Sequence, residues 1–195
     1  MLVPILSILL AVAPAPSVGP LGVVKAADAE VQRQLGTPDA SERLAARADD
    51  YIDFTELAKR SLGADWAGLT RGQQDAFSST MKRFLRASYA QKALGDGRGG
   101  AKVVYGAETV QGNEATVSTT LTVKEDVVPV VYRLFRVGAR GWRIYDVITD
   151  DVSLVSTYSD QFRRSMAKNG FDGLLKSLKA RLAQLEAGPD AGTTR

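Results

Sequence analysis

Hydrophobic side chains recur along this chain first with a helical period and then with a strand period. Residues 41–52 hold Leu44, Ala45, Ala48, Tyr51 and Ile52, the spacing of a short helix. Asp53 stands as an N-cap with Glu56 three positions on, and Phe54, Leu57, Ala58 and Leu62 then share one helical face up to a stop at Gly63. Thr70 and Gln73 open another capped helix, in which Phe77, Met81, Phe84, Leu85 and Tyr89 form a stripe of large side chains. The glycine-rich run 95–100 ends it.

The period then falls to two. Residues 101–110 read as a strand around Val103, Val104 and Tyr105. Ala115, Val117, Thr119, Leu121 and Val123 alternate with Thr116, Ser118, Thr120 and Thr122, the pattern of a half-buried strand. A third strand covers 127–137, with Pro129 near its start where a missing N–H is tolerated, and a fourth covers 142–149. The connections are short, which predicts an antiparallel meander. Two helices close the chain. Leu154, Val155, Tyr158, Phe162 and Met166 mark the first, stopped by Asn169-Gly170; Leu174, Leu175, Leu178, Leu182 and Leu185 mark the second, capped by Asp172. Helices, a strand block and helices again predict an α+β domain with a four-stranded antiparallel sheet over residues 30–188, and 189–195 read as a frayed tail.

Residues 2–13 are apolar and uncharged. A run of about 12 residues is too short to cross about 30 Å of hydrocarbon but has the length of an export signal's apolar segment. Pro14, Pro16, Gly19, Pro20 and Gly22 follow and are expected to break any helix. Cleavage candidates lie at Val24-Lys25-Ala26 and Ala27-Asp28-Ala29, so 1–29 are expected to be an export leader. The leader lacks the usual basic start; a buried or disordered N-terminal segment is the competing reading. No other apolar run approaches the length of a membrane span.

Composition narrows the chemistry. The chain has 195 residues, with neither His nor Cys, which excludes His or Cys metal sites, thiol nucleophiles, Ser-His-Asp triads and disulfide scaffolds. A net charge of +3 is too diffuse to argue for nucleic acid. Gly95-x-Gly97-x-x-Gly100 lies after a helix and before a strand, the reverse of a dinucleotide fingerprint, and reads as a loop. Asp49, Asp50, Asp53 and Glu56 lack calcium-loop spacing. No cofactor and no metal site are expected. Asp146, on a strand among Ile144, Tyr145 and Val147, reads as a structural acceptor first and a general base second, while Asp150 and Asp151 read as a solvated turn. Arg163, Arg164 and Lys168, then Lys176, Lys179 and Arg181, lie opposite the apolar stripes of their helices. Such faces are solvated, or dock on an anionic membrane or an acidic partner. Large residues occupy both strand faces, Tyr132 and Leu134 against Val131 and Phe135. Either helices cover both sides, or a curved sheet leaves room for an apolar ligand.

Four stretches carry a family resemblance. They are Asp53-Phe54 with Leu57-Ala58 and Leu62-Gly63-x-x-Trp66; Thr70-x-x-Gln73-x-x-x-Phe77 with Phe84-Leu85 and Tyr89; Gly141-Trp142-Arg143-Ile144-Tyr145-Asp146-Val147-Ile148 running into Asp151-Val152-Ser153-Leu154-Val155; and Gln161-Phe162 with Gly170-Phe171-Asp172-Gly173-Leu174-Leu175. Together, over roughly 45–185, they resemble the MlaC-like, toluene-tolerance family of periplasmic phospholipid carriers. The resemblance implies a strongly bent, NTF2-like antiparallel sheet with helices packed around a deep apolar pocket for acyl chains. It implies a carrier, not an enzyme, that ferries phospholipid between an outer-membrane lipoprotein complex and an inner-membrane ABC transporter, with only transient membrane-surface contact. The segment ahead of Asp53 is short, so an N-terminal helix of the family is expected to be reduced here. The residues expected to line the pocket are Phe54, Leu57, Leu62, Phe77, Met81, Phe84, Leu85 and Tyr89, with Val117, Leu121, Val130, Tyr132, Leu134, Ile144 and Val147, and Val152, Leu154, Tyr158 and Phe162. The alternatives are an NTF2-like isomerase or hydrolase using Asp146 with Tyr145 or Tyr132, and an interaction domain with a filled core.

Overall fold

Pro20 starts a helix where the sequence pattern predicts a break. In the computed structural model, which describes residues 18–94 and 101–187, α1 spans Pro20–Gln34 with Gly19 as its N-cap. Proline at the first helical position loses only an N–H that has no intrahelical partner there, so its fixed φ favours the helix. Val23 and Val24 are buried, and the cleavage candidates after Ala26 and Ala29 both fall inside α1. The N-terminal helix is therefore present over 15 residues, against the expected reduction. The apolar run 2–13, the motif in 95–100 and the tail 189–195 lie outside the described residues.

Helix α2 spans Ala40–Arg47 and passes through a short 3₁₀ turn at Ala48–Asp50, ending earlier than its pattern predicts. The chain straightens there because Ile52 forms a parallel bridge with Ile144: the Ile144 amide donates to Tyr51 O (2.8 Å) and the Asp53 amide donates to Ile144 O (2.9 Å). Helix α3, Phe54–Leu62, follows, capped by Asp53 Oδ1, which accepts from the Glu56 amide at 2.9 Å. Glu56 does not reach back to the cap; it pairs with Arg60 and Lys59 instead. Helix α4, Arg71–Leu94, opens with the complete reciprocal cap: the Thr70 amide donates to Gln73 Oε1 (2.9 Å) and the Gln73 amide to Thr70 Oγ1 (3.3 Å).

The sheet has five antiparallel strands in sequential order, not four: β1 Lys102–Gln111, β2 Glu114–Val123, β3 Asp126–Arg136, β4 Trp142–Thr149 and β5 Val152–Ser153. The fifth strand exists because Asp150 and Asp151 both adopt positive φ (49° and 61°) and turn the chain back, pairing Thr149 with Val152. Paired positive-φ residues match the twist of a tight hairpin, and aspartate tolerates that region better than most side chains. Helix α5, Leu154–Glu186, is interrupted at Gly170 (φ 65°, ψ −175°), the break that Asn169-Gly170 predicts.

Two apolar clusters result. One joins α3, α4 and α5; the other sandwiches α1 against the sheet; Ile52 packs against both.

Candidate functional site

The strand residues expected to line a pocket all lie on one face of the sheet. Directly opposed residues of antiparallel strands share a face. Val117 opposes Tyr132, Tyr132 opposes Val147, Leu121 opposes Val128, Thr119 opposes Val130, and Leu134 opposes Ile144. Ile144 and Val147 differ in parity yet share the face because the β3–β4 register shifts between Arg133 and Leu134, leaving Tyr145 as the extra residue of a bulge. The other face pairs Glu114, Thr116, Ser118, Thr120 and Thr122 of β2 with Phe135, Arg133, Val131, Pro129 and Val127 of β3, so it mixes polar and apolar side chains.

Helix α1 lies over the apolar face. Val23 and Val24 pack with Ala115, Val117, Leu134, Trp142 and Ile144, and Tyr132 and Val147 are half-buried beside them. Polar ties hold the helix at its rim: the Leu21 amide donates to Glu108 Oε2 (2.7 Å), and Tyr105 Oη donates to Asp28 Oδ2 (2.6 Å). Burial and the Asp28 carboxylate push the Tyr105 phenol up to about 12. Leu121 is half-buried on this face and Val130 is buried.

The helical members form a separate group. Phe54, Leu57, Leu62, Phe77, Met81, Phe84, Leu85, Tyr158 and Phe162 share the α3–α4–α5 cluster, with Leu154 packed against it. Their rings meet one another: Phe77 stands edge-on to Phe162 at 5.4 Å, Phe84 edge-on to Tyr158 at 5.9 Å, and Tyr158 stacks on Phe162 at 5.6 Å. Two members of the expected set lie at the surface: Tyr89 is 38% exposed, its hydroxyl 3.4 Å from that of Tyr158, and Val152 on β5 is 61% exposed. The structure adds Val23, Val24, Ala115 and Trp142 to the sheet-side group. The α1 pair was hidden by the leader assignment, although two adjacent valines within one turn of Pro20 were a usable signal.

Asp146 is 1% exposed and its carboxylate is fully engaged. Oδ2 accepts from Ser153 Oγ (2.7 Å) and lies 3.5 Å from Arg133, while Oδ1 accepts the Val155 amide (3.0 Å). Ser153 caps α5 through the Ser156 amide. Asp146 thus ties β4 to the β5 turn and sits at the positive end of α5, the structural role that its strand position predicts first.

Beside it runs a solvent-open groove of about 400 Å³ between α3, the sheet and α5, lined by Lys59, Arg60, Gly63, Arg133, Tyr145, Asp146 and Val155. The Arg60 guanidinium lies over the Tyr145 ring at 3.8 Å and bridges Glu56 and Glu114. Burial raises the Tyr145 phenol to about 12, against the opposing pull of Arg60. A second groove, about 560 Å³, lies between α2, α4 and the end of α5, with Glu42, Arg83, Arg86 and Glu186 in its walls. Both are open to solvent and carry charged side chains in their walls, so neither is an enclosed dry cavity for acyl chains. Among the described residues, no group of three acidic, His or Cys side chains is placed to hold a metal ion.

No curated protein matches the chain. A solved structure does: a phospholipid-binding protein from Ralstonia solanacearum, determined in complex with a phospholipid, superposes with a TM-score of 0.76 at 24% identity, covering 86% of this chain and 99% of that one. The profile of the MlaC protein family matches residues 23–180, from the first turns of α1 to the second half of α5. The chain therefore belongs to the MlaC family.

Proposed function

We propose that this protein is a periplasmic phospholipid carrier that shuttles lipid between an inner-membrane ABC transporter complex and an outer-membrane lipoprotein complex. Membership of the MlaC family over 23–180 carries the proposal. The fold shared with a protein bound to phospholipid supports it.

The physical task is burial. Each methylene moved out of water is worth about 0.8 kcal/mol, so two tails of about 30 methylenes need on the order of 24 kcal/mol of apolar contact to leave a bilayer. A carrier must nearly match that figure; well below it extraction stalls, and well above it delivery stalls. The surface suited to the task is the sheet face with Val117, Leu121, Val130, Tyr132, Leu134, Ile144 and Val147, and α1 is the element that covers it. In the loaded protein the acyl chains lie between this face and the helices. The headgroup stays near solvent, and the ring contacts of the α3–α4–α5 cluster hold the helical part of the domain together. The burial of Val23 and Val24 in α1 supports a leader that ends ahead of Pro20, and N-terminal sequencing of the exported protein reads that boundary.

The test is lipid mass spectrometry on protein purified without detergent from a Gram-negative periplasm. Near-stoichiometric phospholipid is expected. A stable, folded and lipid-free protein that also takes up none from vesicles overturns the proposal.

A further inference from the structure

We infer that the outward face of α5 is a docking surface for an anionic lipid bilayer. Residues 163–181 hold six cations, Arg163, Arg164, Lys168, Lys176, Lys179 and Arg181, against a single acid, Asp172. That segment is +5; with Asp160 and Glu186 at its flanks α5 as a whole is +3, equal to the net charge of the entire chain, so the positive excess resides on this one element.

The arrangement is a surface, not a side effect of composition. Elsewhere nine cations, Arg33, Arg47, Lys59, Arg60, Lys82, Arg83, Arg86, Arg133 and Arg140, each lie within 4 Å of a carboxylate, and those without such a partner, among them Arg43, Arg71, Lys102 and Lys124, are scattered over separate elements. On α5 only Arg163 is so paired, with Asp160; Arg164, Lys168, Lys176 and Lys179 are exposed with no carboxylate partner among the described residues. Arg164 and Lys168 are one turn apart, as are Lys176 and Lys179. The two halves of α5 meet at Gly170, but Tyr158 and Phe162 on one side and Leu174, Leu178 and Leu182 on the other enter the same core cluster. The opposite faces of both halves therefore point away from that core, toward solvent.

A bilayer fits this face better than an acidic protein does. Specific protein interfaces are built around a desolvated apolar centre. Of the exposed large apolar residues on the described surface, α5 contributes only Leu185, beyond the end of the cationic run. Strongly hydrated lysine point charges without an apolar anchor suit a diffuse plane of negative charge. Such docking is weak and reversible, and it needs no lipid cargo, so it stands or falls separately from the carrier function.

The experiment is co-sedimentation of the full mature protein with vesicles of phosphatidylcholine, with and without phosphatidylglycerol. Binding is expected only to the anionic vesicles, and it should disappear between about 0.1 and 1 M salt, where the screening length falls from about 10 to 3 Å. Each cation near the surface is worth about fivefold in affinity, so R164Q/K168Q/K176Q/K179Q should weaken binding by several hundredfold. The comparison variant R43Q/R71Q/K102Q/K124Q removes the same charge elsewhere and should stay within about fivefold of the unmodified protein. If the four-site α5 variant melts early, K168Q/K176Q serves, with about a 25-fold loss. No binding to anionic vesicles, or equal losses in the α5 and comparison variants, overturns the inference.

Discussion

Replacing Asp146 with Ala should be among the most damaging single changes in this protein, although no part of the apolar site is touched. The side chain is 1% exposed and accepts from Ser153 Oγ at 2.7 Å and from the Val155 amide at 3.0 Å. Hydrogen bonds to a charged acceptor contribute about 1.5–3 kcal/mol each, and the stranded Val155 N–H adds the cost of an unmet donor. The interaction with the start of α5 adds roughly 0.5 kcal/mol. The Arg133 contact adds little, because it is long at 3.5 Å and the Arg133 side chain is 45% exposed. The expected loss for D146A is about 3–5 kcal/mol, a large part of the usual 5–15 kcal/mol of a domain. In urea, with a slope of about 2 kcal/mol/M, the midpoint should fall by about 2 M. D146N keeps one acceptor oxygen and should lose only about 1–2 kcal/mol, while R133A should lose less than about 1 kcal/mol. D146N should also retain its full lipid load, since the carboxylate holds a turn and not the cargo. A D146A midpoint within about 0.5 M of the unmodified protein, or an R133A loss as large as that of D146A, would refute the reasoning.

Three further expectations follow from named positions. Leu121→Asp puts a charge on the half-buried sheet face and should yield a folded protein that purifies without phospholipid; a folded variant with its lipid intact removes Leu121 from the lining. Gly170→Ala should cost about 1–3 kcal/mol by thermal melting, because φ 65° with ψ −175° is a backbone region essentially reserved for glycine and no heavy atom lies within 4 Å of the added Cβ, leaving backbone strain as the sole penalty; an unchanged melting temperature would mean that the bend relaxes. Tyr105 and Tyr145 both titrate near 12 in the fold, above the ordinary phenol value of 10. The unfolded chain loses these protons first, so their stabilising contribution is complete below pH 10 and is lost as pH rises toward 12. Urea midpoints measured across that window should fall, and less so for Tyr145→Phe, whose unchanged slope would sink the assignment.

Much of the local structure was legible because caps and periods are local. Asp53 and Thr70 mark the starts of α3 and α4 through side chains that meet amides three residues away, and Gly170 marks the break in α5 through its own φ. The alternation from Ala115 to Val123 is visible as a strand without knowledge of what covers it. Two elements were missed for equally local reasons. Pro20 and Gly22 read as breakers beside an apolar run, although proline is welcome at the first position of a helix. Asp150-Asp151 reads as a solvated turn, but without glycine it carries no mark of the tight positive-φ hairpin that creates β5.

What the chain determined by itself is the inventory: which segments are helices, which are strands, and which positions are apolar. Which of those positions share a face or a cluster was decided only in three dimensions. A one-residue bulge at Tyr145 puts Ile144 and Val147 on the same face, and no period of two can express that shift. The parallel bridge of Ile52 to Ile144 directs α3 away from the apolar sheet face, so the phenylalanines of the helices close on one another while α1 takes the place over the sheet. Side-chain periodicity follows from the backbone of one segment, whereas the partner of each face follows from where distant segments pair, and that depends on hydrogen bonds and packing that join residues far apart in the chain.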